Sequence, residues 1–117
     1  MPLKVNWEGV FPAIPTQFKE DLSIDIEATQ KHTEALVNNG IHGIVMLGTI
    51  GEGTSLTLSE KVEVLRATVE VAGGKVPVLS GIAEFTTQGA CDTVKAAGEA
   101  GVDGIMSLQR LAGDGLN

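Results

Sequence analysis

Two apolar patterns alternate along this chain. Short, nearly continuous apolar runs are separated by longer stretches in which apolar residues recur every three or four positions. The first pattern fits a strand buried on both faces, and the second a helix with one covered side. Residues 10–16 form the first run. Pro12 and Pro15 cannot donate to a ladder, so the run predicts a short strand with irregular ends. Residues 21–25 are polar and supply N-cap candidates. Ile26, Thr29, Thr33, Leu36 and Val37 follow at helical spacing, and Gly40 supplies a stop. Residues 41–47 predict the second strand.

Thr57-Leu58-Ser59-Glu60 reads as a capping box, in which hydroxyl and carboxylate each take an orphan amide. Leu58, Val62, Leu65, Val69 and Ala72 then give one apolar stripe. Gly73-Gly74 ends that helix. Residues 76–82 predict a third strand. Phe85-Thr86-Thr87 opens a third helix, with Ala90, Val94 and Ala97 on its inner face. Gly98 inside it costs up to about 1 kcal/mol relative to Ala. Residues 102–108 predict a fourth strand.

An internal echo supports this order. Gly40-Ile41-His42-Gly43-Ile44-Val45-Met46 and Gly101-Val102-Asp103-Gly104-Ile105-Met106-Ser107 share one pattern. Each sets a helix-ending glycine, a polar residue and a second glycine before an apolar run. Repeated strand–helix units imply a parallel sheet covered by helices, with right-handed crossovers. The pattern breaks at Gln109, and residues 109–117 show neither period. They read as an unrelated tail, as a truncation or frame shift would leave.

Candidate chemistry centres on Gly48-Thr49-Ile50-Gly51-Glu52, directly after the second run. Two glycines let the backbone bend tightly and let a ligand approach peptide N–H groups. Thr49 adds a hydroxyl that both donates and accepts, although turn hydroxyls often serve only a neighbouring amide. Glu52 reads as a turn-shaping residue, because a carboxylate beside an anionic ligand opposes binding. The glycine spacing resembles a phosphate-binding loop, but Thr54 stands where that motif needs lysine. His32 and His42 have no Cys or carboxylate at metal-ligand spacing, so no metal site is expected. Cys91 reads as a small packing residue, and Asp92 and Asp103 as solvated boundary charges. The lysines at 4, 19, 31, 61, 75 and 95 fall in the tail, loops and helices rather than in strands.

This turn and its flanks resemble the dihydrodipicolinate synthase / N-acetylneuraminate lyase family. The resemblance runs through Gly9-Val10-Phe11-Pro12-Ala13-Ile14-Pro15-Thr16, Gly40-Ile41-His42-Gly43-Ile44, Leu47-Gly48-Thr49-Ile50-Gly51-Glu52 and Leu56-Thr57-Leu58-Ser59-Glu60-Lys61. It continues through Val78-Leu79-Ser80-Gly81-Ile82-Ala83 to Ala100-Gly101-Val102-Asp103-Gly104-Ile105-Met106. It implies a (β/α)8 barrel that binds pyruvate or another 2-oxo acid as a Schiff base on a lysine, with no metal or organic cofactor. It further implies that Thr49 matches the proton-relay position. The Thr49 and Ile50 amides match the groups that hold the substrate carboxylate, with Gly48 in the same wall and Gly51 and Glu52 shaping the turn. The synthase branch usually carries a second hydroxyl where this chain has Ile50, a departure that fits better the branches acting on keto-deoxy sugar acids or other 2-oxo acids. The resemblance places the family's lysine on a later strand and its tyrosine beyond the matching region, and this chain has no Tyr.

Bulk numbers then set the scale. A complete barrel takes about 250 residues, and this chain has 117. The expectation is the first half of a barrel over residues 1–108, with about four parallel strands and three helices, inactive alone. A net charge of −7 repels phosphate backbones and excludes a nucleic-acid partner. No apolar run approaches the roughly 20 residues of a membrane span. The N-terminus lacks a signal peptide's apolar core, and one Cys points to a reducing compartment, so a cytoplasmic protein is expected. Open sheet edges and a bare inner face predict a homo-oligomer or pairing with a complementary half-barrel. The alternative is an open α/β module that binds a small anion or assembles without catalysis.

Overall fold

The computed structural model describes residues 6–48, 50–84 and 86–107. Three helices and three strands alternate along it: α1 (Ile26–Asn38), β1 (Ile44–Met46), α2 (Leu58–Ala72), β2 (Val78–Ile82), α3 (Thr87–Ala100) and β3 (Gly104–Ser107). The strands form one parallel sheet in the order β1-β2-β3. Ile44 pairs with Val78, and Leu79 with Gly104. The N-terminal segment lies beside β1 and touches it through a single parallel bridge, Ala13 to Val45. Ile14 N–H donates to the Val45 carbonyl at 3.0 Å, and Val45 N–H to that of Pro12 at 3.0 Å. Pro12 has no N–H to donate at the rung before this one, which limits the ladder on that side. The expected first strand is therefore a single bridge beside β1, and the sheet among the described residues has three strands rather than four.

Caps and glycines set the helix ends as the sequence predicts. Asp25 caps α1 through the Ala28 amide, and Gly40 adopts φ +87° just past its end. The capping box at α2 is complete: Thr57 N–H donates to Glu60 Oε1 at 2.8 Å, and Glu60 N–H to Thr57 Oγ1 at 3.2 Å. Thr86 caps α3, while Phe85 lies outside the described residues. In the connection before α1, Asp21 accepts from the Ser23 hydroxyl and amide, which holds its carboxyl below the usual range.

The core lies between sheet and helices. Ile44, Met46 and Val78 meet Val64, Leu65, Ala72, Ala97 and Ala100, with Ile14 closing one end. Two helix faces differ from the sequence expectation. The buried face of α2 is Lys61, Val64, Leu65, Ala67, Thr68 and Ala72, while Leu58 is exposed. The buried face of α3 is Thr93, Ala97 and Ala100, and Val94 points outward, 42% exposed. The cause is the same in both. Thr68 Oγ1 donates to the Val64 carbonyl, and Thr93 Oγ1 to that of Gly89, both at 2.8 Å. A threonine that bonds back to its own helix presents only its methyl and packs as an apolar residue.

Three further expectations need correction. Asp103 is half-buried rather than solvated, and its Oδ2 accepts from Val78 N–H at 2.9 Å. Cys91 is exposed on α3 and packs nothing into the core. The inner face of the sheet is not bare. Val45 and Leu79 are buried on it, although they lie outside the main core. Trp7 stacks on Phe11 with ring centroids 6.2 Å apart. A Cβ on Gly43 would strike the Phe11 ring, and one on Gly104 would lie 2.9 Å from the Trp7 ring. The two echo glycines at the strand starts are therefore seats for two aromatic rings. Beside them, His42 exchanges bonds with Val10: its N–H donates to the Val10 carbonyl, and its Nδ1 accepts the Val10 N–H at 2.8 Å.

Candidate functional site

At the opposite, C-terminal end of β1 the chain turns sharply through residues 47–53. Leu47 has φ +59° and Glu52 φ +56°. For a bulky residue such as Leu47 that conformation is an outlier worth on the order of 1–3 kcal/mol, and it persists only where surroundings over-determine it. The surroundings here are backbone. A Cβ on Gly51 would lie 2.8 Å from the Leu47 nitrogen, and one on Gly81 2.7 Å from the Leu47 oxygen. A Cβ on Gly53 would collide with the same oxygen. Gly53 N–H also donates to the Gly48 carbonyl at 3.2 Å. Only glycine lets these strands and turns approach so closely.

The turn is further tied to the N-terminal segment. Thr16 is buried, and its hydroxyl donates to the Gly51 carbonyl at 2.7 Å. Three neighbouring chain segments therefore converge at one rim: the segment ending at Thr16, the turn after β1, and Gly81 in β2. The C-terminal rim of a parallel sheet is where α/β proteins place ligands.

The candidate residues distribute as follows. Gly48 and Gly51 are buried in the turn, and Ile50 projects from it, 60% exposed. Among the described residues, no acceptor takes the amides of Ile50 or Gly51. Glu52 is exposed, and its side chain makes no capping bond to the short helical turn at Gly53–Ser55. Its backbone is in the left-handed conformation. Thr49, expected as the relay hydroxyl, lies outside the described residues.

The same rim carries a charged pair that sequence reading missed. Lys61, in the first turns of α2, is buried, and its Nζ meets Glu84 Oε2 at 2.6 Å just beyond β2. Glu84 also borders the start of α3, with Oε1 3.5 Å from where a Gly89 Cβ would sit. A lysine facing inward from an otherwise apolar helix face was the available signal. Its partner, 23 positions on, was not.

Residues 6–109 match the model of the dihydrodipicolinate synthetase family. The chain belongs to that family. The 4-hydroxy-tetrahydrodipicolinate synthase of Methanoculleus marisnigri is 42% identical over 104 residues, which cover 87% of this chain and 36% of the relative. The crystal structure of dihydrodipicolinate synthase from Aquifex aeolicus superposes with a TM-score of 0.81 at 34% identity, covering 86% of this chain and 34% of that one. The Acinetobacter baumannii synthase, solved in complex with pyruvate, gives 0.85 at 28% identity, covering 89% and 36%. These members of the family fix the fold as part of a (β/α)8 barrel. The chain spans about a third of the length of the relatives it matches.

Proposed function

We propose that this chain forms one wall of the site of a Schiff-base-forming lyase or aldolase acting on pyruvate or a related 2-oxo acid. The observation that carries the reading is the glycine-built turn at residues 47–53, with amides at Ile50 and Gly51 that no described residue takes up. It is supported by family membership and by the pyruvate complex of a structural relative. In this reading the Thr49 and Ile50 amides hold the substrate carboxylate. Gly48, Gly51 and Glu52 set the bend, and the Thr49 hydroxyl carries a proton.

The chemistry needs an amine. It condenses with the 2-oxo carbon and expels water, and the protonated imine then takes up the electron pair as C3 loses a proton. Among the described residues, Lys19, Lys31, Lys75 and Lys95 are exposed, and Lys61 is held by Glu84. None of them lies on the sheet. The reading therefore assigns the amine to a part of the barrel other than these residues and makes the chain by itself a binder without turnover. Borohydride reduction in the presence of pyruvate tests this. The expected result is no lysine adduct and saturable pyruvate binding by calorimetry. A stable adduct would overturn the inactivity, and absence of pyruvate binding would overturn the site.

A second reading is an open α/β module that holds a small anion in the same turn, favoured by the same unengaged amides. Phosphate binding that pyruvate cannot displace would select it. Either reading includes association through the sheet edge. β3 pairs on one side only among the described residues, and Met106 and Ser107 are exposed there. Light scattering on the eluting protein should give a mass above the monomer.

A further inference from the structure

We infer that Thr16 is a positioning residue for the ligand-holding turn. It acts from a different segment of chain, through the Gly51 carbonyl. This rests on the reading of that turn as the carboxylate-binding wall, and it adds what keeps the wall in shape.

Thr16 lies at the end of the N-terminal segment, 35 positions before its partner in the chain, and is buried, 4% exposed. Its hydroxyl donates to Gly51 at 2.7 Å. The other restraints on the turn among the described residues are the close approach of its glycines to the Leu47 backbone and three local backbone bonds, Gly53 N–H to Gly48, Ser55 N–H to Glu52 and Leu56 N–H to Gly53. Packing contacts block approach but do not pull. The Thr16 bond is the one side-chain hydrogen bond to the turn among the described residues. It acts on the Gly51–Glu52 peptide, one peptide past the plane that carries the Gly51 N–H. The Gly51 carbonyl and the following N–H share one rigid peptide plane. Fixing that oxygen orients the plane and limits the freedom of the neighbouring Ile50–Gly51 peptide, whose N–H no described residue takes up. The left-handed residues Leu47 and Glu52 bracket the same stretch. A bend with outlier conformations at both ends needs such an external tie to stay in one arrangement.

The test compares Thr16→Val, which keeps the shape and removes the hydroxyl, with Thr16→Ser, which keeps the hydroxyl. Two readouts are taken on the full chain: pyruvate affinity by calorimetry, and amide exchange by mass spectrometry over residues 48–53 against α1. For Thr16→Val we expect affinity to fall about tenfold and turn exchange to rise by a similar factor, with α1 unchanged. Thr16→Ser should restore both. A uniform rise in exchange would mean general loosening and would overturn the assignment. So would unchanged exchange in the turn, or a serine that fails to rescue. If the wild-type chain binds no pyruvate, the carboxylate reading fails while the exchange comparison still decides the role of Thr16. If Thr16→Val does not fold, the wild-type hydroxyl proton decides by NMR. Slow exchange with solvent supports the tie, and fast exchange overturns it.

Discussion

The two ends of this sheet are built on opposite principles. At the strand starts, Gly43 and Gly104 leave room for the rings of Phe11 and Trp7. At the strand ends, Gly51, Gly53 and Gly81 leave room for the backbone of Leu47. A ring can tilt when its seat changes, because side chains move between rotamers at small cost. A carbonyl fixed in a turn cannot. The lower end therefore adapts, and the upper end holds one geometry, which is the property a ligand-binding rim needs.

Substitutions rank that contrast. Gly53→Ala puts a Cβ onto the Leu47 oxygen and should cost about 3–5 kcal/mol in denaturant unfolding. A loss below about 1 kcal/mol would mean that the rim yields as the base does. Glu84→Gln strands the Lys61 charge at the same rim. The expected loss is about 2–3 kcal/mol, less than for a fully buried pair because 22% of the Glu84 side chain meets solvent. An unchanged midpoint would show that the pair contributes nothing net.

At the base, Trp7→Ala should cost only about 1–2 kcal/mol, since the ring is 60% exposed. A loss as large as that of Gly53→Ala would erase the distinction between the two ends. Gly98→Ala, in mid-α3 with open space around it, is the control. It should stabilise by about 0.5–1 kcal/mol through helix propensity and reduced freedom of the unfolded chain. Destabilisation there would show a contact that the open space does not suggest.

Much of the fold was legible because its signals are local. The Thr57–Glu60 box, the stops at Gly40 and Gly73-Gly74, and the echo of Gly40–Met46 in Gly101–Ser107 all act within a few residues. The phase of α2 and α3 was not legible in the same way. Thr68 and Thr93 look polar in sequence, yet each bonds to the carbonyl four positions back and turns its methyl inward. Asp103 looked like a surface charge because its partner, Val78, lies on another strand. At the site, composition and spacing located the turn, and the resemblance supplied roles for its residues. The side-chain contacts at this rim, Thr16 on Gly51 and Lys61 on Glu84, depend on pairs far apart in sequence. Nothing in one sequence marks such pairs.

The grip of Asp103 on Val78 has a consequence of its own. One residue takes both polar groups of another: its N–H donates to the Val78 carbonyl at 2.8 Å, and its carboxylate accepts the Val78 N–H at 2.9 Å. A strand that slid by a single place would release both holds together and turn Leu79 toward the helices. The third strand is thereby indexed to the second at one notch, from which later strands of a barrel can be laid down in step.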